Sequence, residues 1–469
     1  MQRGALQRGD LQRGDLQRDA LQMSRETFSS RLTLLATMVG VAVGLGNVWR
    51  FPYMVGRFGG AAFVLLYLVF ALVIGIPALM AEWTLGRHTQ RGTVGAFERA
   101  GLPGGRVLGW VFFGTVTAAT AYYTNAIGWV VFHGMAGVLA PLGVPVSGGD
   151  ILPPNEGFQL RSFLLQLLLT GVVISAAVVV LIRGLRSGIE KASVVLTPLL
   201  FLSLLVIIAR SLTLPGAGAG LEWYILKFQP SDLTPTVAMA ALGQVIFSLA
   251  LGGTFMVVYG SYLNRDDTLG KNALWTVGGD TAAGLLAGLA IFPAVIALGM
   301  EPGSGPGLIF ETLPRVFAQI PAGWIFGTVF FVALAGAAFL SGVAAFEVLV
   351  AGLTDNTRLN RRAATWTMAG LVFLFALPPM INMGIFVPWD LAFGSGAQTA
   401  GVLVAVLAVG WGMKRSAVLE EWATGPDGKS KGRQQALLYN WIRWVIPGAI
   451  LAVGAWWFLT DVMGVVTGV

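Results

Sequence analysis

Apolar stretches of about 20 residues or more recur from Leu32 to the C-terminal end of this 469-residue chain, and a stretch of that kind has few ways to fold. Hydrocarbon offers no water to pair with backbone N–H and C=O groups, so a segment crossing it satisfies them within a helix or a closed barrel. Runs this long and this continuous read as helices. The sequence predicts spans near 32–53, 60–84, 107–138, 160–182, 190–213, 235–260, 273–299, 322–352, 364–382, 389–413 and 441–465, which makes an all-α polytopic membrane protein of about eleven transmembrane helices. Composition agrees: 55% of residues are hydrophobic and 11% charged, where a soluble domain carries about twice that charge.

A net charge of +7 has the sign that nucleic acid attracts, but the cations fall on alternate loops, as the positive-inside rule requires. Arg87, Arg91, Arg99 and Arg106 follow the second span, Arg183, Arg186 and Lys191 the fourth, Arg265 and Lys271 the sixth, and Arg358, Arg361 and Arg362 the eighth. Loops 139–159, 214–233 and 300–321 carry few. The cationic loops and the N-terminus are therefore expected on the cytoplasmic side of the cell (inner) membrane, and an odd number of spans puts the C-terminus outside.

Cysteine is absent and histidine occurs twice, which leaves no disulfide or metal-thiolate chemistry and little imidazole ligation. No nucleophile with a paired base and no phosphate-binding loop is visible, so no enzyme and no organic cofactor is expected. Residues 1–24 include "LQRGDLQRGDLQRDALQ", a low-complexity repeat that cannot bury a core. They are expected to be a disordered tail, or to precede a true start at Met23. Residues 25–469 read as a single membrane domain, because the cytoplasmic connections are short and no soluble segment exceeds about 30 residues.

Two spans depart from uniform apolarity in the same way. "VAVGLGNVWRFPYMVGRFGG", Val41 to Gly60, places glycines, Asn47, Arg50 and Pro52 where a bilayer disfavours them, and "GQVIFSLALGGTFMVVYGSY" is interrupted at Ser248, Gly252 and Gly253. Interrupted spans in matching positions of two halves point to inverted repeats with a binding site at the bilayer midplane. The first repeat would cover about 32–213 and the second about 235–413, with an extra helix at about 441–465. Close helix packing accounts for most of the 63 glycines, but not for Asn47 and Arg50 in the same run. A broken helix frees peptide groups that cost several kcal/mol each if unpaired in lipid. Freed carbonyls suit a cation or an ammonium, and freed amides at a half-helix N-terminus suit a carboxylate.

"AVGLGNVWRFP" followed by "GG", "IGIPALMAEWTLGR" and "VLIRGLRSGIEKA" closely resemble the neurotransmitter:sodium symporters in their bacterial amino-acid-transporting branch, from about Arg25 onward. The resemblance implies two inverted five-helix repeats with broken first and sixth helices, alternating access, and sodium-driven uptake of an amino acid. By position, the first sodium site would use the carbonyl of Ala42 and the side chains of Asn47, Ser248 and Asp280, completed by the substrate carboxylate. A shared oxygen makes the two bindings mutually dependent, which is coupling by linkage. Most members have Asn at Asp280, and chloride-dependent members have Ser at Gly284. Asp280 would supply the fixed negative charge, so no chloride is expected. A second sodium site would draw on Gly40, Val43, Ala337 and Ser341, but Leu340 stands where the family has Thr and cannot ligate a hard cation. One sodium ion, or two, is the expected cofactor.

The same resemblance places Gly44 where monoamine carriers have an Asp, so the substrate brings its own carboxylate. That carboxylate would meet the amides of Leu45 and Gly46 and the hydroxyl of Tyr123 in "ATAYYTNAIGW", while the ammonium meets carbonyls of Ala42, Phe247 and Ser248. Val41, Ala119, Ala250, Gly253, Gly342 and Ala345 would line the side-chain pocket, with Ser341 also in contact. Nearly all are Ala or Gly, which implies a roomy apolar cavity for a neutral, hydrophobic or aromatic amino acid. Arg50 and Asp390 would form an outer gate over Phe247 and Tyr123. Arg25 and Asp355, with Phe28 and Tyr262, would form the inner one. Glu82 would brace the broken helices, and Glu347 has no assigned role. The alternatives are a proton-coupled amino-acid permease of the same fold and a membrane amino-acid sensor. Asn47, Ser248 and Asp280 together favour sodium, and no signalling domain or ring of pore charges favours a sensor.

Overall fold

The computed structural model describes residues 30–139, 148–184, 191–302, 308–319, 321–423, 432–457 and 459. Among them are helices and turns, with no strand. In chain order the helices are α1 (Arg31–Ala42), α2 (Gly46–Arg57), α3 (Ala61–Thr89), α4 (Thr93–Arg99), α5 (Gly105–Leu139), α6 (Leu160–Ile182), α7 (Lys191–Leu212), α8 (Ala217–Ile225) and α9 (Pro235–Ser248). There follow α10 (Phe255–Gly260), α11 (Leu269–Ala297), α12 (Leu313–Ala318), α13 (Gly323–Asn356), α14 (Arg361–Met380), α15 (Met383–Gly412), α16 (Arg415–Ala423) and α17 (Gly432–Ala455).

Eight of these are long and apolar enough to cross a bilayer, and the bent pair α1 and α2 makes a ninth. The 35-residue α5 and the interrupted α9–α10 pair bring the crossing elements to the about eleven that hydropathy predicts. Residues 1–29, with Arg25 and Phe28, lie outside the described residues, as do Arg186 and the far end of the expected last span.

The membrane solvent is legible in α6, which is patterned inside out. Leu160, Leu164, Leu168 and Val172 face outward, while Ser162, Gln166 and Thr170 are buried. The buried polar groups find partners across helices: Gln166 Nε2 donates to the Met380 carbonyl at 3.1 Å, and Thr170 Oγ1 to Asn125 Oδ1 at 3.0 Å. The long α13 packs along α5, and α11 packs against α1, α3 and α7. This leaves both broken helices in the centre.

The first break is a bend of 48° between α1 and α2. Val43 leaves the helix for extended geometry, and α2 opens with a π turn over Gly46–Arg50. Gly44 is required here: a Cβ on it would come within 2.4 Å of Ser341 Oγ and 2.7 Å of the Tyr123 hydroxyl. In the second break α9 stops at Ser248 and the chain runs unwound to Phe255, with φ of 153° at Gly252 and 70° at Gly253. Ala250 also takes a positive φ of 50°, a conformation costing an L residue roughly 1–2 kcal/mol. The amides freed there are caught from α3: Glu82 Oε1 accepts from Gly252 N at 2.9 Å and Gly253 N at 2.8 Å.

Candidate substrate and cation site

Between the two breaks, α2, α9 and α11 bring three polar side chains together in a fully buried cluster. Asn47 Nδ2 donates to Asp280 Oδ1 at 2.7 Å, to the Asp280 carbonyl at 2.9 Å and to Ser248 Oγ at 2.9 Å. Ser248 Oγ lies 3.0 and 2.9 Å from the two carboxylate oxygens, and the Tyr67 hydroxyl donates to Oδ2 at 3.2 Å. Asp280 has zero exposure, and among the described residues no Lys, Arg or His pairs with it. An ionised carboxylate surrounded only by neutral donors is expensive in a low dielectric. A sodium ion fits that deficit. The Asn47 amide is assigned with Oδ1 accepting from Gly44 N at 3.1 Å. The carboxylate of Asp280, the hydroxyl of Ser248 and the carboxamide of Asn47 together offer oxygens of the kind suited to a hard cation.

Next to this cluster is a cavity lined by Val41, Ala42, Gly46, Ala119, Tyr123, Phe247, Ala250, Ser341 and Ala345, all of them expected there from the sequence. The Tyr123 hydroxyl accepts from Leu45 N at 3.2 Å, so the amide and hydroxyl expected at a substrate carboxylate already adjoin. Thr120, Tyr122, Phe255 and Gln398 complete the lining. Gly253 and Gly342 do not line it. Gly253 is turned toward Phe97 and the Gly401 carbonyl, and Gly342 toward Ile127 of α5, because the unwound segment and the long α13 rotate them away from the cavity.

The residues expected at a second cation site fit less well. Ser341 Oγ lies 3.1 Å from the Val41 carbonyl and 3.4 Å from that of Val43. Leu340, however, brings Cδ1 to 3.3 Å from where a Cβ on Gly40 would stand, and Ala337 is a buried core residue. The hydroxyl nearest Gly40 is Thr197 Oγ1 of α7, at 2.6 Å from the same point.

Above the cavity, Arg50 is buried, donates to Gln244 Oε1 at 2.9 Å and lies 4.6 Å from the centre of the Phe247 ring. Gln244 Nε2 donates onward to the Gly46 carbonyl at 2.8 Å, tying α9 to the first break. Asp390 feels the Arg50 charge and is hydrogen-bonded by Tyr122, the neighbour of the tyrosine assigned to the lid. At the residues expected to form the inner gate, Asp355 Oδ2 accepts from Gly92 N at 2.5 Å. The Tyr262 hydroxyl lies 2.5 Å from Glu347 Oε1, and Arg361 holds the same carboxylate through Nη1 at 3.1 Å and Nη2 at 2.5 Å. Glu347 thus acquires partners that its sequence neighbourhood does not reveal. Gln244 had a signal, since it lies one helical turn before Ser248.

Two broken helices in matching positions, a buried cation-type cluster and an adjoining cavity define a helical membrane carrier of the inverted-repeat type. The sequence model described as "Sodium:neurotransmitter symporter family" matches residues 25–143 and 159–427. An uncharacterized sodium-dependent transporter of Bacillus subtilis, YhdH, is 32% identical over 445 residues, covering 91% of this chain and 96% of its own. A sodium- and chloride-dependent GABA transporter 2 of Bos taurus is 26% identical, over 75% of this chain and 67% of its own. The solved structure of MhsT in complex with L-phenylalanine aligns with a TM-score of 0.83 at 34% identity, covering 92% of this chain and all of that one.

The chain belongs to the sodium:neurotransmitter symporter family. It is a multi-pass membrane protein and a sodium-dependent symporter of a small molecule.

Proposed function

We propose that this symporter imports a neutral, hydrophobic or aromatic amino acid together with sodium, by alternating access and without chloride. The observation that carries it is Asp280, a buried carboxylate with neutral partners beside a mostly apolar cavity. Sodium neutralises that charge, and the substrate carboxylate completes the ion's shell between Leu45 N, the Tyr123 hydroxyl and the first break. The similar protein MhsT holds L-phenylalanine in its structure, which supports the same class of ligand here. Chloride independence follows from the fixed charge of Asp280 and from Gly284, whose α-carbon faces the apolar ring of Phe51. Moving one sodium charge inward across 100 mV contributes about 2.3 kcal/mol to uptake. The N-terminus is cytoplasmic and the C-terminus outside in this reading, with Arg50 and Asp390 controlling the outer side, and Arg25 and Asp355 the inner.

Binding of labelled leucine, phenylalanine, tryptophan, glycine and serotonin to purified protein tests this in sodium chloride, sodium gluconate and choline chloride. Leucine, phenylalanine or tryptophan should bind equally in both sodium salts and fail to bind in choline. Binding that persists in choline at acidic pH overturns sodium coupling in favour of protons, and binding lost in gluconate overturns chloride independence.

A further inference from the structure

Away from the substrate cavity, α15 and α17 meet at a seam that carries positive charge with no counter-charge. Both helices contain a π turn there, over Ala408–Gly412 and Trp441–Val445. They approach closely because Gly410 has no side chain: a Cβ on it would come within 2.9 Å of Arg443 Cα. The Arg443 guanidinium lies 4.3 Å from the centre of the Trp411 ring and 5.6 Å from that of Trp444, and the two indoles meet edge to face at 4.5 Å. Trp411 Nε1 donates to the Arg443 carbonyl at 3.1 Å, and the Tyr439 hydroxyl to that of Gly410 at 3.0 Å, which fixes this frame. Arg443 Nη1 reaches only the Tyr439 hydroxyl, at 3.5 Å. Nε is its only nitrogen that is both enclosed and unpaired, so Nη2, which has no bond either, is open to the surroundings. Met413 leaves the helix in extended geometry, and exposed Lys414 and Arg415 follow, the latter 5.4 Å from the centre of the Tyr439 ring. Among the described residues no carboxylate pairs with Lys414, Arg415 or Arg443; on α16, Glu421 is committed to Arg87, and exposed Glu420 pairs with none of these cations.

The face these groups share is turned toward lipid. Trp411 is 47% and Trp444 58% exposed, and Leu437, Val445 and Leu451 continue the outward side of α17 as an apolar surface. Tryptophan gathers where a bilayer's hydrocarbon gives way to its headgroups. A guanidinium held at that level without a counter-ion lacks what a phosphate diester supplies, acceptor oxygens for its open N–H groups and a negative charge. The indole N–H of Trp444, without a partner among the described residues, is a further donor. A zwitterionic headgroup brings an ammonium that Lys414 and Arg415 repel, whereas a net-negative one is drawn to them, and basic pockets between membrane helices suit such headgroups. We propose that the seam between α15 and α17 binds the phosphate of an anionic phospholipid, held by Arg443 beside Trp411 and Trp444 and flanked by Lys414 and Arg415. The site lies outside the substrate cavity and does not depend on which solute is carried.

A scintillation proximity assay on the purified, immobilised full-length chain in detergent measures binding of radiolabelled phosphatidylglycerol and phosphatidylcholine with the same acyl chains. Phosphatidylglycerol should bind about tenfold more tightly. In Arg443→Gln that ratio should fall to within about threefold. Arg358→Gln removes the same charge from the exposed connection between α13 and α14, and the ratio should stay above about fivefold. Excess inorganic phosphate should shift phosphatidylglycerol binding by less than about twofold, because it has no acyl chains to lay on the apolar face. A cooperative thermal unfolding transition reports that each variant is folded. If Arg443→Gln shows none, Lys414→Gln and Arg415→Gln are combined, and the ratio should again fall to within about threefold. A ratio below about threefold in the unmodified protein, one that stays above it in the seam variants, or one that falls below about fivefold in Arg358→Gln overturns the site. Displacement of the lipid by inorganic phosphate overturns the phospholipid as its occupant.

Discussion

The break between α1 and α2 presents peptide groups on two sides, and the two sides have different chemistry. Toward α9 and α11 it meets Ser248 and Asp280, with Asn47 closing the cluster at 2.7–3.0 Å. Toward α13 it meets one hydroxyl, Ser341, and the methyl groups of Leu340. The main-chain distortion is shared, so it cannot by itself decide where a cation binds. Side-chain oxygens decide it, because a hard cation that gives up water needs oxygen in return. On our reading the first side holds the coupling sodium and the second holds one weakly.

The largest test of this contrast removes the charge on the first side. Asp280→Ala should weaken sodium-dependent ligand binding by more than about a hundredfold, since breaking a buried charge pair costs roughly 3–5 kcal/mol. Asp280→Asn keeps the shape and an oxygen, and its apparent sodium affinity should fall by about tenfold. Sodium titrations of radioligand binding read both. An Asp280→Ala protein with unaltered sodium response would move the coupling ion elsewhere.

A smaller effect should come from the second side. Leu340→Thr restores the hydroxyl common in the family, and the Hill coefficient for sodium should rise from about 1 toward 2. Ser341→Ala in the same background should return it to about 1. If the unmodified protein already titrates near 2, Leu340 does not impair the second side and the contrast drawn above is wrong.

The residues on both sides, Leu340 among them, are visible in the sequence. Glycine, asparagine and arginine inside an apolar run are expensive in lipid, so the α1–α2 and α9–α10 breaks stand out against their surroundings. Asp280 stands out for the same reason. Which way a residue faces beyond a break was not legible, because the 48° bend and the positive-φ residues 250, 252 and 253 reset the helical phase. Gly253 therefore turns toward Phe97 and the Gly401 carbonyl, whereas Gly342 sits in the unbroken α13 and faces Ile127 through the packing of that helix on α5. Tyr122 and Tyr123 are neighbours about 100° apart on α5, and one reaches Asp390 while the other reaches Leu45. Arg361 reads as a loop cation in the charge pattern, yet it pairs with buried Glu347, whose burial only the packing of α13 reveals. Gln398 lies in a span whose polar residues carried no motif.

The finest test concerns α7, which hydropathy gave no reason to place at a cation site. Thr197 Oγ1 approaches Gly40 more closely than any other side-chain oxygen near that position, and it stands 3.3 Å from the Ala36 carbonyl as donor. A hydroxyl that donates to a helix carbonyl still has lone pairs to offer, so α7 has the chemistry to replace what Leu340 lacks. Ser193 Oγ, 3.6 Å from the same point, stands beside it. The contrast between the two sides holds only if these oxygens do not serve the cation. Thr197→Val removes the hydroxyl at nearly constant volume. It should shift the sodium titration by less than about twofold, while costing about 0.5–1.5 kcal/mol of stability for the lost bond, read as a lowered midpoint of thermal unfolding. A sodium affinity reduced by tenfold or more, with the Hill coefficient falling from near 2 to near 1, would place a working cation site between α1, α7 and α13.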